Sequence, residues 1–311
     1  MAESEGGQPN QTSGQTPDPP SAVLSAIVAF GMWGTLPIYW KLVQRFGSDV
    51  VVLQRLVWTV VWVLPLLAIT KNWRAWVEAM KTPALLRAHG LSAALLTVNW
   101  SLFIWANQHG HIVEASLGYF LNPLLNVAIG RVLLGENISR WRIVSIVLAA
   151  AGVLLQVILV GRLPWIALAL ALTFAAYGLA RRKSPLGSLT GLAMESVIVL
   201  PLALGGLVWI ASESRPLAAT GSAGDWFLMF LAGACTAAPL LTFAHAARHL
   251  RFSTLGLLQF IAPTGQFLIG ALMYKEPVTL GVMVSFACIW AGVAVFCVEA
   301  ALGRKKEGAK T

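Results

Sequence analysis

From Ser21 to Glu299 the chain is a succession of apolar runs joined by short polar links, each run close to the roughly 20 residues that a helix needs to cross a bilayer. Within lipid the backbone must satisfy its own hydrogen bonds, so runs of this length and continuity fold as helices. Composition agrees. Of 311 residues, 57% are apolar and 11% are charged, against roughly 25% charged in a soluble domain, and the mean hydropathy is +0.73. A disordered chain, a disulfide scaffold and a soluble enzyme are excluded, and no polar stretch is long enough to hold a catalytic domain. Spans are predicted at 22–42, 50–70, 88–108, 113–134, 141–160, 163–181, 187–211, 226–247, 253–274 and 278–299. The predicted fold class is an all-α membrane protein with ten transmembrane helices.

Residues 1–20 hold three acids and no Lys or Arg and read as a disordered cytoplasmic tail, with no basic region that would start a cleaved signal peptide. Residues 301–311 read as a basic cytoplasmic tail. In the link 71–87, Trp73, Trp76, Val77 and Met80 recur at helical spacing, which predicts a short interfacial helix. With the N-terminus in the cytoplasm, 15 Lys and Arg fall in cytoplasmic loops and tail and 5 in outer loops; Arg55 and Arg131 lie inside spans. That bias predicts that both termini are cytoplasmic. It also explains the net charge of +9 as an orientation signal, with no nucleic-acid partner implied. Cys235, Cys288 and Cys297 sit in apolar runs and read as core residues. Trp40, Trp73, Trp76, Trp141, Trp165, Trp209 and Trp226 lie at span ends, as interfacial belts do; Trp33, Trp58, Trp62, Trp100, Trp105 and Trp290 lie deeper.

The chain resembles itself at a shift of 140 residues. Leu117 meets Leu257, Phe120 meets Phe260, Pro123 meets Pro263, Gly130 meets Gly270, Glu136 meets Glu276, and Ala151–Val153 meets Ala291–Val293. A fainter echo pairs residues 30–34 with 174–178. The repeating unit is five helices, 21–160 and 161–300. Because five is odd, the second copy enters the membrane inverted, an architecture of alternating-access transporters with a solute site near the midplane. Pro123 and Pro263 each remove a backbone hydrogen bond inside a span. Equivalent interruptions in two halves point to a binding site, although prolines are also commoner in membrane helices generally.

Asn99–Ala106 (NWSLFIWA), Glu114–Phe120 (EASLGYF) with Asn122–Leu124 (NPL), Leu163–Ala169 (LPWIALA) and Gln259–Thr264 (QFIAPT) resemble the RarD proteins. These are bacterial inner-membrane permeases in the EamA group of the drug/metabolite transporter superfamily. The resemblance runs from about residue 22 to 299. It implies ten spans in two inverted five-helix repeats and export of a small solute, and the family carries a link to chloramphenicol. The segment Gln54–Trp58 resembles the family's second span, which often has a carboxylate five residues before the arginine. Here that position is Val50 and the nearest acid is Asp49.

Polar side chains inside spans are costly and tend to face the bundle interior. Tyr119, Asn122 and Asn126 share one face of span four beside Pro123, and Gln259 and Gln266 bracket Pro263. Asn99 lies near Trp100 in span three, and Trp33 is deep in span one. These ten residues, both prolines included, are the expected cavity lining; the amides either bind solute or bridge helices. Arg55, Glu114 and Glu195 are the expected gating or coupling residues. Arg55 alternatively snorkels to the outer headgroups, and Glu114 alternatively complements a helix dipole. Glu195, about 12 Å inside the apolar layer by the rise of a helix, can carry a proton, which makes protons the candidate coupling ion. No phosphate loop, nucleophile triad or metal-ligand set appears, so no enzyme activity and no cofactor is expected. The expected partners are a small-molecule substrate and the lipid bilayer, with the chain a monomer or weak dimer. The expected function is export of small metabolites or drugs, chloramphenicol or other compact aromatic or zwitterionic solutes, by alternating access. The alternatives are a passive facilitator for amino acids or related metabolites, or an integral-membrane transferase.

Overall fold

The computed structural model describes residues 19–133, 139–182, 184–217, 221–250, 255 and 258–308. Among these there are helices and no strands: α1 (Pro20–Leu42), a 3-10 turn (Gln44–Phe46), α2 (Ser48–Ile69), α3 (Trp73–Met80), α4 (Pro83–Gln108), α5 (Ile112–Leu133), α6 (Arg140–Val160), α7 (Trp165–Arg182), α8 (Ser188–Ser212), α9 (Ala223–His249), α10 (Ile261–Leu268) and α11 (Leu280–Gly308). The all-α expectation holds. The expected interfacial segment is helix α3, packed on α8 and α4. Most of the 1–20 tail, Glu136 and the side chains of Arg131 and the 301–311 tail lie outside the described residues, while the α11 backbone continues as helix to Gly308.

Among the described residues, seven helices are long and apolar enough to cross a membrane: α1, α2, α5, α6, α8, α9 and α11. Ten spans were expected. The other three runs correspond to α4, α7 and α10. Helix α7 is a shorter apolar helix, and α10 continues as a π-helical turn over Ile269–Met273. Helix α4 is 26 residues long but carries His89, Ser92, Asn99, Asn107 and Gln108, all buried against neighbours.

Short links make successive helices run in alternate directions. Two faces result, the N-terminal face where α1 begins and the opposite face where α2, α5, α7, α9 and α11 begin. The turn before α2 is tight because Gly47 adopts φ +78°, where a Cβ would also sit 2.9 Å from the Asp49 carboxylate. At the opposite face Arg45 pairs with Asp225, and Arg215 with Asp49 at 2.6 Å. At the N-terminal face Arg142 pairs with Glu299 at 3.1 Å.

The main packing partners form a regular set. Helix α1 packs on α9 and α10, α7 on α4 and α5, α2 on α8 and α9, and α8 on α2 and α4, with α5 against α10 and α6 against α11. Exchanging α1 with α7, α2 with α8, α4 with α9, α5 with α10 and α6 with α11 reproduces this set. At the α5–α10 crossing the rings of Phe120 and Phe260 stack nearly parallel, 6.2 Å apart and 16° from coplanar. At the α6–α11 crossing a Cβ on Gly152 would meet the Ser285 carbonyl at 2.8 Å, and one on Gly292 would meet the Ser145 carbonyl at 2.8 Å. The 140-residue shift carries Gly152 onto Gly292 and Ser145 onto Ser285, so each contact is the counterpart of the other. Because the obstacle at each is backbone, Gly292→Val is expected to separate α6 from α11 and cost about 1–3 kcal/mol. A drop of several degrees in the unfolding temperature of the detergent-purified protein checks this.

Candidate functional site

Helices α2, α4, α7 and α8 converge on two buried ionic groups. Arg55 is the eighth residue of α2 and Glu195 the eighth of α8, so they enter from opposite faces to similar depth. Both are almost fully buried, at 5% and 2% exposure.

Glu195 accepts a hydrogen bond from the Ser92 hydroxyl at 2.6 Å. The same carboxylate oxygen lies 3.1 Å from His89 Nδ1, and the Tyr177 hydroxyl donates to the other oxygen at 3.3 Å. With its proton on Nδ1, His89 donates to Glu195 and accepts from the Ser184 hydroxyl at 2.8 Å through Nε2. The Arg181 guanidinium lies 3.7 Å from the carboxylate, close enough for Coulomb attraction but without a hydrogen bond. It fills the space beside Gly191, where a Cβ would overlap it. Sequence reasoning missed His89. Its signal was present, since an ionisable residue two positions into the predicted third span is a functional candidate by that fact alone.

Two narrow cavities flank this cluster. One, of about 60 Å³, lies toward the N-terminal face and is lined by Leu85, Ala88, His89, Ser92, Ala180, Ser184 and Pro185. The other, of about 10 Å³, has room for about one water and lies deeper, among Leu56, Thr97, Trp100, Leu192, Glu195 and Ser196. Glu195 and the His89–Ser92 pair separate the two.

Beyond Trp100 lies Arg55. Its guanidinium carbon is 4.1 Å from the Trp100 ring centroid and 5.0 Å from that of Trp40. Its Nε donates to the Thr236 hydroxyl at 3.1 Å. Arg55 is buried and does not take the alternative course of snorkelling to the headgroups. One expectation is corrected: Trp40, expected in an interfacial belt, is fully buried because its ring is one wall of the arginine's slot.

The other expected site residues are dispersed. Asn99 donates to the Leu170 carbonyl and the Thr173 hydroxyl, both at 2.9 Å, and accepts from the Tyr119 hydroxyl at 3.4 Å; it bridges α4, α5 and α7. Asn122 is buried with no partner for Oδ1 among the described residues. Asn126 is exposed. It lies one turn beyond Asn122, past residues 120–124, every one of which is buried, so the buried stretch of α5 ends before it is reached. Gln266 donates to the Trp33 carbonyl at 3.2 Å, and its Oε1 has no partner among the described residues. Trp33 is half-buried in an aromatic cluster with Phe30 and Phe243. Gln259 lies half-buried in the turn before α10. Pro123 and Pro263 are both buried but are not equivalent in backbone. Pro123 is inside the continuous α5, whereas Pro263 lies in the first turn of α10, after a break at Gln259 and Phe260. The first turn has no intrahelical acceptor for the missing N–H, so Pro263 follows an interruption without kinking α10.

Glu114 accepts from the Ile166 backbone N–H at 3.1 Å, so it complements the N-terminus of α7. Glu276, absent from the expected site, accepts from the N–H groups of Ile112 and Val113, each at 2.8 Å, and caps α5.

Residues 20–158 match the EamA-like transporter family. The "Uncharacterized transporter YojE" of Bacillus subtilis is 38% identical over 88% of this chain and 92% of its own length. Protein RarD of Escherichia coli is 39% identical over 89% and 94%, and the "Chloramphenicol-sensitive protein RarD" of Pseudomonas aeruginosa 33% identical over 87% and 91%. A crystal structure that is 18% identical superposes over 90% of this chain and 99% of its own, with a TM-score of 0.55, which shows a shared fold. Matches to RarD proteins over about nine-tenths of both chains, on an all-helical fold with ionic groups buried between apolar helices, have one reading: the chain belongs to the RarD-type permeases of the EamA/drug–metabolite transporter superfamily, membrane transporters and not enzymes.

Proposed function

We propose that this transporter is a bacterial inner-membrane exporter working by alternating access between two inverted five-helix repeats, 21–160 and 161–300, and that protons drive it through Glu195. The repeat is supported by the helix packing, which is reproduced on exchanging the halves, and by the stacking of Phe120 on Phe260. A residue touching its own repeat mate lies on the axis relating the halves. The Lys and Arg bias makes the N-terminal face, and with it both termini, cytoplasmic.

One observation carries the functional reading: Glu195 is buried between a cavity open toward the N-terminal face and a deeper one. A carboxyl group at such a boundary takes up a proton from one side and releases it to the other when the halves rock. His89 and Ser184 continue the hydrogen-bonded chain toward the cytoplasmic cavity. The solute is compact and partly aromatic or zwitterionic, with chloramphenicol the first candidate because one relative's name carries it. Asn122, with its unpartnered Oδ1, and Trp100 are its expected contacts. The protein works as a monomer or weak dimer.

Overexpression in a sensitive bacterium is expected to lower chloramphenicol accumulation. Asn122→Ala is expected to restore accumulation with the protein still in the membrane. Unchanged accumulation on overexpression rejects chloramphenicol and moves the assignment to amino acids or related metabolites. A reporter active only in the periplasm, fused after Thr311, is expected to stay silent; activity there overturns the topology.

A further inference from the structure

We propose that the Arg55 slot is a binding site for a single carboxylate group, so that the transported solute carries one. The proposal rests on the reading of the chain as a transporter and deepens it by naming the charged group that the solute brings. Arg55 is 5% exposed at the meeting of α1, α2, α4 and α9. A buried guanidinium is costly unless something compensates its charge. No carboxylate among the described residues pairs with it. Asp49, the nearest acid in its own helix, is bound to Arg215; Asp225 at the start of α9 is bound to Arg45; and Glu195 in α8 is held by Ser92, His89 and Arg181.

What does surround Arg55 is arranged in a particular way. Two indole rings lie near the guanidinium, at 4.1 and 5.0 Å, and the electron-rich face of an aromatic ring attracts a cation more strongly once both are out of water. Nε is spent on Thr236. The two terminal nitrogens have no acceptor among the described residues. Aromatic walls with free terminal N–H groups leave open the fork that matches a carboxylate through two parallel hydrogen bonds. The deeper cavity abuts Trp100, the nearer wall of the slot, and holds Thr97 and Ser196 as further hydroxyl donors. One fixed positive charge balances one negative group, so a monoanion or a zwitterion fits and a polyanion does not. Chloramphenicol, which has no carboxylate, leaves the fork unfilled, so its export would not by itself engage this site.

The test uses the full-length protein in nanodiscs, with benzoate and its neutral isostere benzamide as probes in a buffer without other carboxylates. Benzoate is expected to raise the unfolding temperature in a saturable way and benzamide is not. Arg55→Gln is expected to abolish the benzoate shift. Arg55→Lys, which keeps the charge but loses the fork, is expected to weaken benzoate binding about tenfold. Should Arg55→Gln not fold, the lysine variant decides. Equal shifts from benzoate and benzamide, or a benzoate affinity unchanged in Arg55→Lys, overturn the proposal and leave Arg55 as a clamp between helices. The two readings fail separately. Solute export without benzoate binding removes the carboxylate site and keeps the transporter; Arg55-dependent benzoate binding without any solute movement keeps the site and removes the export reading.

Discussion

In proteoliposomes, Glu195→Gln is expected to lose accumulation driven by a pH gradient, down to the level of liposomes without protein, while exchange of internal for external solute continues. Exchange returns the solute-loaded carrier across the membrane and needs no proton release. Net movement returns the empty carrier and does. Glutamine keeps a carbonyl oxygen that can still accept from Ser92 and His89, at 2.6 and 3.1 Å in the native protein. The hydrogen-bond cluster therefore loses at most about 1 kcal/mol per altered bond, and the protein is expected to fold. Flux measured in both modes separates the roles. Equal loss of exchange and accumulation makes Glu195 a structural or solute-binding residue, and an unaltered pH dependence removes it from coupling.

Glu276→Ala is expected to have the largest effect on stability. The side chain is 9% exposed, and its two oxygens accept from successive backbone N–H groups in the first turn of α5. Those donors have no partner within their own helix. Removing the carboxylate leaves two N–H groups unsatisfied in an apolar setting, at about 1–3 kcal/mol each, and removes an anion favourably placed on the helix dipole. Because Glu276 follows the π-helical turn after α10, the cap also fixes that region against α5. Thermal unfolding in detergent checks this. A large fall is expected for alanine and a smaller one for Glu276→Gln, which keeps one acceptor; equal falls contradict the two-bond cap.

The apolar runs made the membrane class and the helix positions legible, because span length is set by the bilayer and not by packing. The mid-span Pro and loop Glu matching at one shift carried the expectation of a repeat for a different reason: both are rare against an apolar background. Side-chain partners were not readable. Asn99 looks like a cavity amide in sequence, yet α7 crosses α4 so that a carbonyl and a hydroxyl take both its donors. Trp40 sits at a span end, where lipid headgroups are the default neighbours, and only the approach of α2 and α4 turns it into a wall for Arg55. Asn126 and Asn122 share a helix face on paper, but which edge of that face is buried depends on where α7 and α10 press. Glu276 and Glu114 cap helices other than their own, and no spacing rule within one helix finds such a pairing.

Alternating opening of the buried cavity is the central claim, and it is testable without knowing the solute. With Cys235, Cys288 and Cys297 replaced and Thr97→Cys introduced into the cavity wall, the reconstituted protein is treated with a membrane-impermeant thiol reagent from either side in turn. The residue is expected to react from both sides, with the balance between them shifting when the pH gradient is reversed. Labelling from one side only, whatever the gradient, contradicts alternating access.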